Sequence, residues 1–310
     1  MLATGLPANV IEESWRARRP DGTAAVLAIG TANPATSVRQ DEYTDWYFRV
    51  TNSKHLSKLI KTKMKRICEK SGLTKRYFLY TDETASSNPG LTDRTLPFLE
   101  ARMTITMEAV LEFASARPAT DITYLIFSTN CSSHVPDLDL RLLSLLGLLP
   151  TRTMLNLHSC FGGSSTLHVA KDLAKYNLGA RVLVVCNEVC MQLAFRALDA
   201  AKMDTLVVLP MVPVRSSRGS PIEEPVENPI FPLLLEPQKL AASRRVLSEY
   251  GNMGASTIFF VLDEMRRWRQ NYDDEEGGMC GNQWGVMLRI GPGLTIETML
   301  LQAATNPDDN

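Results

Sequence analysis

The segment Thr153 to Val189, TMLNLHSCFGGSSTLHVAKDLAKYNLGARVLVVCNEV, decides the fold. Thr153 to Leu157 reads as a strand, Gly162 to Tyr176 as a helix, and the apolar run Ala180 to Val189 as a buried strand. Strand, helix, strand in that order is a crossover unit, which pairs its strands in parallel. Outward from it, Ile122 to Ser128 repeats the strand pattern and Asp137 to Leu146 the helical one. Ala24 to Ile29, closed by Gly30 and then Asn33-Pro34, reads as a further buried strand entering a turn. Asp41 to Lys70 is helical, with an interruption near Thr51-Asn52-Ser53. This alternation predicts an α/β fold.

The pattern breaks further on. Seven prolines fall between Pro210 and Pro237, around Arg215-Ser216-Ser217-Arg218-Gly219-Ser220. Proline removes backbone donors and is excluded from central strands, so a linker or loop is expected there. Beyond it the spacing predicts helices over Lys239 to Glu249 and from Ala255 to about Gln270, then an acidic loop from Asp273 to Gly278. Trp284 to Leu288 and Leu294 to Leu301 read as two strands joined by Gly291-Pro292-Gly293. The expected organisation is an N-terminal arm (1–23), an N-terminal half (24–207), a Pro-rich junction (208–238) and a C-terminal remnant (239–304).

Composition narrows the function classes. Of the 310 residues, 45% are hydrophobic and 22% charged, near globular averages. A formal charge of −1 argues against nucleic acid or an anionic membrane as the main partner. No apolar run reaches the roughly 18 residues of a membrane span. The first nineteen residues, Met1 to Arg19, lack a secretory signal's apolar core, so a cytoplasmic location is expected. The six cysteines, at 68, 131, 160, 186, 190 and 280, form no Cys-x-x-Cys pair and have no histidine at zinc-ligand spacing. Neither a metal site nor a disulfide framework is expected.

Leu155-Asn156-Leu157-His158-Ser159-Cys160-Phe161-Gly162-Gly163 carries the chemistry. It sets one thiol between a strand and a helix, where helix amides and the positive end of the dipole favour thiolate. The glycines keep side chains clear of an incoming acyl group. Two readings fit Cys160 on spacing alone: a reactive nucleophile, or a small hydrophobe packing the strand end. Lys58, Lys61 and Lys65 share one helical face, either as an anion-binding row or as a solvated surface.

Several segments carry a resemblance. Ala25 to Pro34 (AVLAIGTANP), Tyr47 to Thr51 (YFRVT), Lys75-Arg76-Tyr77 and Ala170 to Ala174 (AKDLA) are similar to the chalcone and stilbene synthase family, the plant type III polyketide synthases. Gly179 to Cys186 (GARVLVVC), Leu247 to Met253 (LSEYGNM) and Gly291 to Thr295 (GPGLT) match it too, in family order. The resemblance implies a thiolase-type layered fold of two similar α/β halves, usually as a homodimer. It implies an acyltransferase of polyketide biosynthesis, in flavonoid or phenylpropanoid-type secondary metabolism. An acyl-CoA starter loads onto a cysteine and malonyl-CoA extends it, with CoA thioesters as substrates and no cofactor. Carried onto this chain, Cys160 corresponds to the nucleophile and Asn252 to the asparagine that holds the thioester oxygen. Asn252 also suits a helix cap after Gly251. Lys58, Lys61 and Lys65 match basic positions that meet coenzyme A phosphates.

The chain also departs from that pattern. The family's His-Pro-Gly-Gly segment is absent, and His55, His134, His158 and His168 lack its context. His168, eight residues past Cys160, falls roughly 12 Å along a helix axis from it, whereas His158 would share a strand face with it. After Asp204-Thr205-Leu206-Val207 a Gly-Asp-Gly-Ala strand should follow, but Val208-Leu209-Pro210 stands there. Pro229-Ile230-Phe231 then runs almost directly into Leu235 to Leu240. The second half is therefore expected to be incomplete. At acyl-pocket positions Asn130-Cys131 replaces a Thr-Ser pair, and Met191 and Ala194 replace threonines. A divergent branch follows, with a catalytically impaired paralogue or truncated gene product as the alternative reading.

Overall fold

A computed structural model describes residues 24–50, 58–78, 81–87, 106–107, 121–129, 138–156, 159–188, 237–273, 284–291 and 295–303. Strand β1 (Thr36–Arg39) leads directly into helix α1 (Gln40–Val50), which has Asp41 and Glu42 in its first turn and Arg49 in its last. Charges so placed complement the helix dipole at both ends. Helix α2 (Lys58–Glu69) follows, then β2 (Lys75–Phe78), antiparallel to β1, and the short helix α3 (Asp82–Ser87). Tyr43, Trp46, Tyr47 and Phe78 pack here as one buried aromatic group. Arg76 is buried beside them, its guanidinium over the Tyr43 ring and its Nε donating to Gln40 Oε1 at 2.7 Å.

The core sheet is parallel, in the order β4-β3-β5, with β3 (Tyr124–Thr129), β4 (Thr151–Asn156) and β5 (Val182–Cys186). Helix α4 (Leu138–Leu146) links β3 to β4, and α5 (Gly162–Tyr176) carries the chain from β4 across β3 to β5. Side chains alternate across a strand. Leu125 and Phe127 of β3, with Leu183 and Val185 of β5, therefore meet Leu138, Leu142 and Leu143 of α4 in the main core. The opposite face, carrying Ile126, Ser128 and Cys186, turns to α5, where Thr166 Oγ1 lies 3.7 Å from the Cys186 sulfur.

A 3-10 turn (Pro237–Leu240) starts helix α6 (Ala241–Tyr250), whose end is Gly251 at φ +75°. A left-handed residue there favours glycine. A second 3-10 turn (Gly254–Ser256) opens helix α7 (Thr257–Asp273), which packs on α6 and α5. The hairpin β6 (Trp284–Gly291) and β7 (Thr295–Gln302) lies against α5, giving the order helix, sheet, helix, sheet.

Most of the expected elements form near their expected bounds, and the α5 range is the one read from sequence. The strand expected at Ala24 to Ile29 does not form. Residues 24–34 have no regular structure, and Val26 and Leu27 are 58% and 57% exposed. A strand needs a hydrogen-bonding neighbour, and none of the described strands lies beside this run. Residues 1–23 and 201–236, including most of the Pro-rich junction, lie outside the described residues. Among the described residues no helix is long and apolar enough to cross a membrane.

Candidate active site

Cys160 sits in a 3-10 turn, Ser159–Phe161, between β4 and the first residue of α5. It is half-buried and free of disulfide bonding. Ser164 Oγ donates to the Phe161 carbonyl at 2.8 Å, closing the turn onto the helix. Gly163 explains part of the motif. A Cβ there would stand 2.2 Å from the Ala255 carbonyl oxygen and 2.9 Å from Ile258 Cγ2, so only glycine lets α5 approach the 254–258 backbone.

Asn252 lies on that opposing segment. Its Oδ1 accepts from the Gly254 amide at 3.0 Å, opening the 3-10 turn, while the Met253 amide donates to Thr257 Oγ1 at 3.0 Å. Of the two roles the sequence leaves open for Asn252, capping is the one this contact serves, and it uses only the oxygen end of the amide. Oδ1 holds the turn, and Nδ2 remains a donor that no described residue takes up. The segment is anchored from behind by Ser248, whose carbonyl accepts from both the Thr74 amide and its Oγ1 at 2.9 Å. Lys75–Glu249, at 3.1 Å, and the stacked rings of Tyr77 and Tyr250 extend that seam.

Arg289 of β6 joins the two segments. Its Nε donates to the Cys160 carbonyl at 2.7 Å, and a second guanidinium nitrogen donates to the Gly254 carbonyl. Across the hairpin Arg289 is in register with Glu297, which accepts from Ser165 Oγ on α5 at 2.8 Å. Sequence reading missed Arg289, because no local pattern connects it with a residue 129 positions away.

Cys186, at the end of β5, is a different thiol. Burial pushes it up to about 12; the Thr166 contact and the Arg289 charge act the other way, more weakly. Thr166 Oγ1 donates to the Gly163 carbonyl at 2.7 Å and lies 3.7 Å from the Cys186 sulfur. Ser256 Oγ donates to the Cys186 carbonyl at 2.9 Å, tying the Asn252 segment to the parallel sheet as well.

The three lysines lie on α2, away from this cluster. Lys61 Nζ is 2.5 Å from Asp45 Oδ1 and 5.7 Å from the Phe48 ring centroid, and Lys65 Nζ is 3.9 Å from Asp45 Oδ2. Hydrogen bonding from Lys61 lowers the Asp45 carboxyl below its ordinary range. Lys58 begins the helix and is exposed. His168 is half-buried on α5. Asn130, Cys131, Met191 and Ala194, together with His55, His134 and His158, lie outside the described residues. Among the described residues no group of His, Cys, Asp and Glu is arranged to hold a metal ion.

Within a layered α/β core, a free thiol stands in the turn before a helix, and one guanidinium ties that turn to the segment that follows Asn252, an arrangement open to cysteine-based chemistry. Comparison with known proteins narrows it. The N-terminal domain of chalcone and stilbene synthases matches residues 11–212, and their C-terminal domain matches residues 215–305. A bisdemethoxycurcumin synthase from Oryza sativa subsp. japonica is 38% identical over 394 aligned positions, covering 95% of this chain and 96% of the relative. This chain belongs to the chalcone and stilbene synthase family of type III polyketide synthases, and its fold is the thiolase-type α/β fold. The alignment is longer than the chain's 310 residues, so the relative has internal residues with no counterpart here.

Proposed function

We propose that this chain accepts acyl groups from acyl-CoA thioesters onto Cys160, with Asn252 Nδ2 donating to the thioester oxygen, and that its capacity for polyketide extension is impaired. The observation that carries the reading is the pairing of the Cys160 turn with the Asn252 segment, gripped by one guanidinium. In the loading step the Cys160 thiol loses its proton to solvent and its sulfur bonds to the carbonyl carbon. The carbonyl electron pair moves to oxygen, where an amide donor stabilises it. Collapse restores the carbonyl and breaks the bond to coenzyme A, whose thiolate takes a proton from water.

Impairment follows from the absent His-Pro-Gly-Gly segment and from the internal residues the rice relative has and this chain lacks. Lys58, Lys61 and Lys65 are the proposed phosphate contacts, with Asp45 holding two of them when no ligand is bound. Asn130, Cys131, Met191 and Ala194 are the proposed pocket residues, and a homodimer in the cytoplasm the proposed assembly. The test is intact-protein and peptide mass spectrometry after exposure to aromatic and aliphatic acyl-CoA. Acylation should map to Cys160 and vanish in Cys160→Ala. Label on other thiols alone, or none, would sink the reading.

A further inference from the structure

We propose that Arg289 is a positioning residue that sets the gap between the Cys160 thiol and the Asn252 amide by gripping the backbone on both sides. The inference rests on Cys160 being the acyl carrier. Gly254 is held at both its polar groups: its amide donates to Asn252 Oδ1, and its carbonyl accepts from Arg289. The same guanidinium reaches the Cys160 carbonyl at 2.7 Å, so a continuous chain of bonds runs Asn252, Gly254, Arg289, Cys160. A planar fork with fixed donor directions suits two backbone acceptors better than a single ammonium.

The hairpin adds a second tether. Glu297, opposite Arg289 in register, accepts from Ser165, so the first turn of α5 is pinned on two sides by one pair of strands. Binding the Cys160 carbonyl also has an electrostatic consequence. That oxygen is the negative end of a dipole beside a reacting sulfur, and engaging it with a cation offsets its repulsion toward the anionic intermediate. Arg289 acts through Asn252 and the thiol turn, without touching the acyl group.

The experiment compares two reactions of Cys160 in Arg289→Met and Arg289→Lys. Acyl transfer from acyl-CoA develops charge on a carbonyl oxygen and needs the donor geometry; alkylation by iodoacetamide develops none. Arg289→Met should slow acylation by about tenfold or more, while alkylation changes by less than about threefold. Arg289→Lys should fall between the two. On an Asn252→Ala background, Arg289→Met should cost little further, since effects acting through one group are not additive.

Unchanged acylation, equal losses in both reactions, or full additivity with Asn252→Ala would each overturn the proposal. If the unaltered chain is not acylated at all, the acyl-carrier reading fails. Hydrogen exchange at the Gly254 amide then decides the tether on its own: faster exchange in Arg289→Met supports it, and unchanged exchange overturns it. Should Arg289→Met lack native circular dichroism, the same comparisons are made with Arg289→Lys, and the same results support or overturn the tether.

Discussion

Cys160 and Cys186 are two thiols in one layer with opposite assignments. Cys186 is held protonated by burial, up to about 12 against an ordinary 9.0. Burial raises Cys68 and Tyr43 in the same direction. In the unfolded chain these groups ionise at their ordinary values, so above about pH 9 the folded state binds more protons. Their contribution to stability is complete below that pH and is lost as pH rises toward about 12. Chemical denaturation across that window should show a falling midpoint, and Cys186→Ala should flatten the fall. An equally steep fall in Cys186→Ala would remove Cys186 from this account. Asp45 offers a second residue-scale prediction. Replacing it with Asn frees Lys61 and Lys65 from their carboxylate, and exposed pairs of this kind are worth up to about 1 kcal/mol. Coenzyme A should then bind up to about fivefold tighter by calorimetric titration, with the gain shrinking at high salt. Unchanged affinity, together with unchanged affinity when all three lysines become Ala, would return the α2 row to a solvated face.

At the scale of elements, the close approach of α5 to the 254–258 segment is what assembles the site. Gly163→Ala tests it. Removing a helical glycine gains about 0.5–1 kcal/mol in an open helix. Here the added methyl meets a backbone oxygen that cannot swing away, and overpacking costs about 1–3 kcal/mol. The steric term wins, so the thermal midpoint should drop and Cys160 acylation should slow; a raised midpoint would contradict the packing. The elements themselves were largely legible in sequence. Val182–Cys186 and Gly162–Tyr176 announce themselves by an apolar run and by glycines followed by helix formers. Ala24 to Ile29 has an equally apolar run, but pattern does not supply a neighbouring strand, and the structure gives it none. The segments that carry Cys160 and Asn252 stood out by motif, and the structure brings those segments together. What joins them was not, because Arg289 and Thr74 act through backbone carbonyls far away in the chain.

At the scale of the whole molecule, the described parts are stitched at three seams. Thr74 and Lys75 bind α6, Ser256 binds the end of β5, and Arg289 binds the Cys160 turn. In the proposed reading these seams serve to present a thiol and an amide donor to a thioester, a smaller task than polyketide synthesis. Extension requires malonyl-CoA to lose carbon dioxide, which leaves an electron pair on carbon that must be delocalised onto the thioester oxygen. In family members a histidine helps hold that charge, and here its His-Pro-Gly-Gly segment is missing from the sequence. Loss of one oxyanion donor costs about 10²–10³ in rate in a well-formed site, and in the proposed reading the group that takes the thiol proton is lost with it. Loading from an activated thioester tolerates that loss better than decarboxylation does, because it leaves no electron pair on carbon to be held and the leaving thiolate is stable. The expected outcome is Cys160 acylation without extended products when the purified chain is given an acyl-CoA starter and malonyl-CoA. Chromatography with mass detection of released and enzyme-bound products checks it. Polyketide turnover at family rates, abolished by Cys160→Ala, would mean that another residue holds the charge, and substitution of His158 and His134 would be the way to find it.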